Sequence, residues 1–239
     1  MRKAICAASL LFVLFACQNQ PNYHFIEIQK KQQHVLTWGE GSPVIVFLSG
    51  GGSNLVDFEP VQQEISMITK TISYDKLGIG KSQLADTPRT LENVASELRE
   101  LLTKENIVNA PMILVGHSMG GSVARYYLHR YPDTIIGLIL IDPGSEFLST
   151  EYRKELTIEE IKVEDSILEA QIKLIPKGFR MEVDAYPKHD STLKTFPFET
   201  SIPVTLLESN KIDNNDSNQI KLIEIQKRLY RDFQKKSLK

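Results

Sequence analysis

Apolar residues fall along this chain in short runs separated by amphipathic stretches. Pro43-Val44-Ile45-Val46-Phe47-Leu48 is a β-branched run that opens into Ser49-Gly50-Gly51-Gly52-Ser53, which reads as a strand followed by a glycine-rich loop. Phe58, Val61, Ile65 and Ile68 then recur at helical spacing, with Asp57 placed to cap them. Thr71–Tyr74 reads as a second strand and runs into Asp75-Lys76-Leu77-Gly78-Ile79-Gly80-Lys81-Ser82. Leu91, Val94, Ala95, Leu98, Leu101 and Leu102 mark a helix with Thr90 as its cap. Residues 112–115, 135–141 and 204–207 are further buried strands, and residues 119–131 a helix between the first two of them. Strands alternating with helices predict a mostly parallel sheet covered on both faces.

The alternation breaks over about residues 145–200. Residues 151–156 and 163–175 read as helices, the second with Val163, Ile167, Ala170 and Leu174 on one face. Pro176, Pro187 and Pro197 then predict irregular structure, with His189 as an exposed loop residue. After the strand at 204–207 comes the polar stretch 213–218. Ile220, Ile223, Leu229, Tyr230 and Phe233 then repeat with helical spacing up to the last residue, Lys239.

The N-terminus carries an address. Arg2-Lys3 is a basic start, and residues 4–16 form a 13-residue apolar stretch, too short to span a bilayer as a helix. It ends in Leu14-Phe15-Ala16-Cys17, which resembles a bacterial lipobox. This predicts a signal peptide over 1–17, a lipid on Cys17, and one domain over 18–239 anchored in the cell envelope; plain secretion or a periplasmic location is the alternative. Cys6 lies in the leader, so the mature domain is expected to hold no disulfide. The 28 basic and 30 acidic residues give a net charge of −2, with no basic stripe to suggest nucleic acid. The five histidines show no metal-ligand spacing, and no metal is expected.

The chemistry centres on Gly116-His117-Ser118-Met119-Gly120-Gly121, placed between a buried strand and a helix. A G-x-S-x-G in that context sets the serine on a tight, strained turn and lifts its hydroxyl off the end of the sheet. Four landmarks occur in order: the loop at Ser49–Gly52, the Asp75–Ser82 turn, the Gly116–Gly121 elbow and Leu138-Ile139-Leu140-Ile141-Asp142-Pro143. Together they resemble the α/β-hydrolase fold family, in its lipase- and esterase-like, cofactor-free branch, over about residues 25–210.

The resemblance implies an α/β fold with a doubly wound sheet and a helical cap over about 145–200. It implies Ser118 as nucleophile toward a small-molecule carboxylic ester, through an acyl-enzyme. The oxyanion donors would be backbone N–H groups of Met119 and of Gly51, with Gly52 second. For the triad's acid, Asp142 and Asp213 rank as near equals and Glu146 third. No cofactor is implied.

The family order places a histidine after the last strand. Here the histidines stand at 24, 34, 117, 129 and 189, so the fold is expected to be C-terminally incomplete by a strand and the base. The accounts left open are a truncated product, an intact but impaired enzyme, and an unrecognised base. Two other functions stay open: a non-catalytic lipoprotein that keeps the fold for binding, and a proline-type aminopeptidase.

Overall fold

The computed structural model describes residues 19–196, 198–209 and 217–237, so Cys17 and Asp213 lie outside the described residues. Among the described residues seven strands run as β1 (Asn22–Ile28), β2 (Lys31–Trp38), β3 (Val44–Leu48), β4 (Thr71–Tyr74), β5 (Met112–His117), β6 (Ile135–Ile141) and β7 (Val204–Leu207). They form one sheet in the order β1-β2-β4-β3-β5-β6-β7. β1 and β2 are a hairpin, β2 pairs antiparallel with β4, and every other pairing is parallel. The helices are α1 (Glu59–Ser66), α2 (Leu91–Lys104), α3 (Met119–Arg130), α4 (Leu148–Lys154), α5 (Ile158–Leu174), α6 (Lys177–Leu193) and α7 (Ser217–Ser237).

All five residues of β3 are buried, as a central parallel strand covered on both faces requires. Its side chains alternate between two apolar layers. Val44, Val46 and Leu48 join Leu114, Leu138 and Leu140 beneath Val94, Leu98 and Leu101 of α2 and Val123, Ala124 and Tyr127 of α3. Ile45 and Phe47 face the other way, with Val115 and Phe58. Each such side chain, once buried, stabilises the fold by roughly 1.5–3 kcal/mol. These layers hold the carboxyl ends of β3, β5 and β6 in register, and the candidate site is built there.

Two expectations need correction. The segment after the glycine loop enters through a 3-10 turn, Leu55–Phe58, capped by the Asn54 side chain rather than by Asp57. That turn rotates α1 so that Gln62 and Ser66 face inward while Val61 and Ile68 are exposed. Gln62 donates to the Leu36 carbonyl at 3.2 Å and accepts from the Ser73 hydroxyl at 2.6 Å. Phe58 and Ile65 pack into the core as the spacing predicts, while the Gln62 hydrogen bonds take the inward position between them.

The second correction concerns residues 177–193, where prolines predicted irregular structure. They form the 17-residue helix α6, with Pro176 just ahead of it and Pro187 on an exposed position inside it. Its buried face is Gly178, Glu182, Ala185, His189 and Leu193. That spacing is helical, but the residues are too mixed in polarity to show as an apolar stripe. His189, expected in an exposed loop, is buried; its Nε2 and the Arg89 carbonyl lie 2.7 Å apart, so the ring donates there. Burial lowers its pKa. Arg89 in turn is fully buried in a bidentate pair with Glu97 of α2, at 2.5 and 2.6 Å. By contrast, no residue of α5 is buried, and Val163, Ile167 and Leu174 face outward. Val163 and Ile167 line a cavity with Tyr152 and Arg153 of α4, and Ser118 is not among its lining residues.

Candidate active site

Ser118 stands between the last residue of β5 and the first of α3, with φ 50° and ψ −119°. This is a left-handed conformation that costs a non-glycine residue on the order of 1–3 kcal/mol, so its surroundings must hold it. Its N–H donates to the Ile141 carbonyl at 3.0 Å, and its carbonyl accepts from Gly121 at 2.9 Å and Gly144 at 3.2 Å. The turn is so tight that a Cβ on Gly116 would stand 2.6 Å from the Gly120 oxygen. The end of β6 and the start of α3 thus brace one serine in a strained geometry, with the helix N-terminus directed at the space beside it.

The Ser49–Ser53 loop runs alongside. Among the described residues, the N–H groups of Gly51 and Met119 have no hydrogen-bond partner. The Gly52 N–H, the second-ranked donor, is already taken: it donates to Glu182 Oε2 of α6 at 2.7 Å. Beneath the loop lies Lys76, 2% exposed, whose Nζ donates to the carbonyls of Gly50 at 2.7 Å, Ser53 at 3.2 Å and Ser49 at 3.3 Å. Lys76 Nζ and Glu182 Oε1 are 3.5 Å apart. Burial lowers the Lys76 pKa, and the facing Glu182 carboxylate opposes that shift. The Tyr186 hydroxyl of α6 packs against Gly51, and burial pushes its pKa up to about 12.

Sequence reasoning missed both members of this buried pair. Lys76 lies inside the quoted Asp75–Ser82 turn, and Glu182 follows Gly178 by one helical turn on the buried face of α6. An ionisable residue at a helical core position is the signal that was available.

None of the five histidines is hydrogen-bonded to Ser118. His24 bonds Glu105 at 2.7 Å, and His34 bonds the buried Asp75 at 2.9 Å. His129 stacks on Phe196 with ring centroids 4.0 Å apart, and His189 is committed to Arg89. His117 lies next to the serine, yet its ring packs toward Gly50: a Cβ there would be 3.0 Å from His117 Nδ1 and 3.4 Å from Ser118 Cβ.

The carboxylates are engaged as well. Asp142, at φ 40°, accepts from the Ser209 N–H at 2.7 Å and donates its own N–H to Leu207, joining the ends of β6 and β7. Glu146 is paired bidentately with Arg125 at 2.8 and 2.9 Å. Burial works to raise the Glu146 pKa, but the guanidinium overrides it and holds the carboxyl below the usual range. Among the described residues no group of three or more His, Cys, Asp or Glu could hold a metal ion, and no helix is long and apolar enough to cross a membrane.

This strand order, with a serine elbow after β5 and a helical insertion between β6 and β7, defines a hydrolase class. A family model described as the alpha/beta hydrolase fold matches residues 43–185, and the chain belongs to that family. An epoxide hydrolase, CorEH, superposes with a TM-score of 0.62 at 16% identity, over 80% of this chain and 83% of that one; this likeness is one of fold. The uncharacterized protein YqjL of Bacillus subtilis is 32% identical over 106 residues, 44% of this chain and 42% of that protein. The human (lyso)-N-acylphosphatidylethanolamine lipase is 40% identical over 73 residues, 30% of this chain and 21% of the lipase. The chain thus spans less than half the length of these curated relatives.

Proposed function

We propose that this chain is a serine hydrolase acting on carboxylic esters, with Ser118 as nucleophile. The observation that carries the reading is the strained backbone of Ser118 beside two unpartnered N–H groups, Gly51 and Met119. In this reading the Ser118 oxygen attacks the ester carbonyl carbon. The carbonyl oxygen gains negative charge against the Gly51 and Met119 donors; the carbonyl–alkoxy bond then breaks, the leaving group departs as the alcohol with the proton lost by Ser118, and water cleaves the acyl-serine to release the acid. Two such donors are each worth about 3 kcal/mol in the transition state. The similarity to a lipase favours an ester over other substrates.

No imidazole is hydrogen-bonded to Ser118, so the reading is of slow hydrolysis that relies on the oxyanion donors. Asp142, and Asp213 beyond the described residues, remain the candidate acids. The histidine observation also favours the second reading, a non-catalytic lipoprotein that keeps the fold for binding. The lipobox-like Leu14–Cys17 supports a lipid anchor and an envelope location.

A fluorophosphonate probe separates the two readings. Slow covalent labelling of Ser118, lost in Ser118→Ala, is the expected result. A folded protein that takes no label would refute the hydrolase reading. Lipid anchoring is checked by incorporation of radiolabelled palmitate, which should vanish in Cys17→Ser.

A further inference from the structure

Lys76 and Glu182 make no contact with Ser118, yet both are almost fully buried against the loop beside it. Burying two ionised groups there carries a desolvation cost, which their mutual attraction and their hydrogen bonds to the loop must offset. A trans peptide unit is planar, with its C=O and N–H pointing in opposite directions. The Gly50 carbonyl is drawn onto the Lys76 ammonium at 2.7 Å, the shortest of that lysine's loop contacts. The N–H on the same peptide unit is that of Gly51, so it must point away from Lys76. The next N–H, that of Gly52, is held by Glu182 at 2.7 Å.

We infer that Lys76 and Glu182 are positioning residues that sort the loop's peptide groups, turning carbonyls inward and leaving the Gly51 N–H as the one presented to the reacting oxygen. The ammonium also polarises the Gly50–Gly51 peptide, which strengthens its N–H as a donor. Glu182 reaches the loop because α6 meets the Asp75–Ser82 turn backbone to backbone: a Cβ on Gly178 would stand 2.8 Å from Gly78 Cα. The helix between β6 and β7 therefore contributes to the geometry of the oxyanion donors. This inference rests on the reading of Ser118 as nucleophile.

The test uses the full chain and three measurements: the second-order rate of Ser118 phosphonylation, the thermal unfolding midpoint, and amide hydrogen exchange at Gly51 and Gly52 by NMR. Glu182→Gln keeps an acceptor for Gly52 and should label within about threefold of wild type. Glu182→Ala should label about tenfold more slowly and lose protection at the Gly52 amide. Lys76→Met should label about a hundredfold more slowly, with Lys76→Arg recovering part of the rate. If Lys76→Met does not fold, the two Glu182 variants decide. Wild-type labelling rates in Glu182→Ala, or rates that fall only in proportion to the folded fraction, would overturn the inference. If wild type takes no label, the reading of Ser118 fails. The clamp is then judged by exchange alone, and a Gly52 amide equally fast in wild type and Glu182→Ala refutes it.

Discussion

Gly120→Ala is the most direct probe of how the elbow is seated. Gly120 is the second residue of α3 and passes over the end of β3. A Cβ there would stand 2.6 Å from the Leu48 carbonyl carbon and 2.8 Å from the Ser49 oxygen, and closer still to the Leu48 oxygen. Cβ atoms essentially never come nearer than 3.0 Å to such neighbours. All three atoms are backbone, in the central strand and in the loop gripped by Lys76, so no rotamer change relieves the overlap. The elbow must lift by roughly 1 Å, at an overpacking cost near the top of the usual range, about 3 kcal/mol. For a domain of this size that lowers the melting temperature by about 6–12 °C. The same displacement moves the serine away from its donors and should slow phosphonylation about a hundredfold. Gly137→Ala in β6 is the control. Its nearest neighbour, Ile113 Cγ1, would lie at 3.4 Å, an ordinary contact, and the loss of chain entropy in the unfolded state favours alanine by about 0.4–1 kcal/mol. Urea unfolding of both variants tests the argument. A Gly120→Ala protein within 1 kcal/mol of wild type would refute it.

Three further outcomes are expected. Glu97→Ala strands the fully buried Arg89 guanidinium and should destabilise the fold by about 3–5 kcal/mol; Arg89→Met combined with Glu97→Leu should recover most of that loss in the same unfolding assay. Burial pushes the Asp190 carboxyl up to about 6 from an ordinary 3.8, so its ionised form burdens the fold at neutral pH. Discounted for half exposure, Asp190→Asn should gain about 1 kcal/mol at pH 7, and the gain should shrink as pH falls from about 6 toward 3.8; a constant gain across that window contradicts the assignment. Thr157→Ala breaks the capping box with Glu160 at the start of α5 and should cost about 1 kcal/mol locally, read as faster amide exchange over the first turn of that helix.

The strands and the elbow were legible because their signals are local. β4, β6 and β7 fall on the residues their apolar runs marked, and Thr90 caps α2 through its side-chain acceptance from the Asn93 N–H. A steric rule of the backbone places a serine between two glycines after a buried strand in a tight turn, and the turn is there. What failed to show was whatever depends on a partner far along the chain. The prolines around 176–187 read as breakers. Yet α6 forms across them, because Gly178, Glu182, Ala185, His189 and Leu193 meet a surface built by residues about a hundred positions earlier. The apolar face of α5 was legible in the sequence, but that the helix leaves Val163, Ile167 and Leu174 exposed was not.

By itself, the sequence determined the alternation of strands and helices from β3 to β6, the turn that strains Ser118, and the five histidines from which any imidazole base in this chain must come. Each follows from neighbours a few residues apart, or from simple inventory. Only the tertiary structure decided that none of those histidines bonds Ser118, that Gly52 is already spoken for, and that the Gly51 N–H is left unpartnered. The loop contacts come from Lys76 and Glu182, which lie 106 positions apart in the chain and 3.5 Å apart in space. No local pattern encodes that meeting, because it exists only once the sheet has brought α6 down onto the loop.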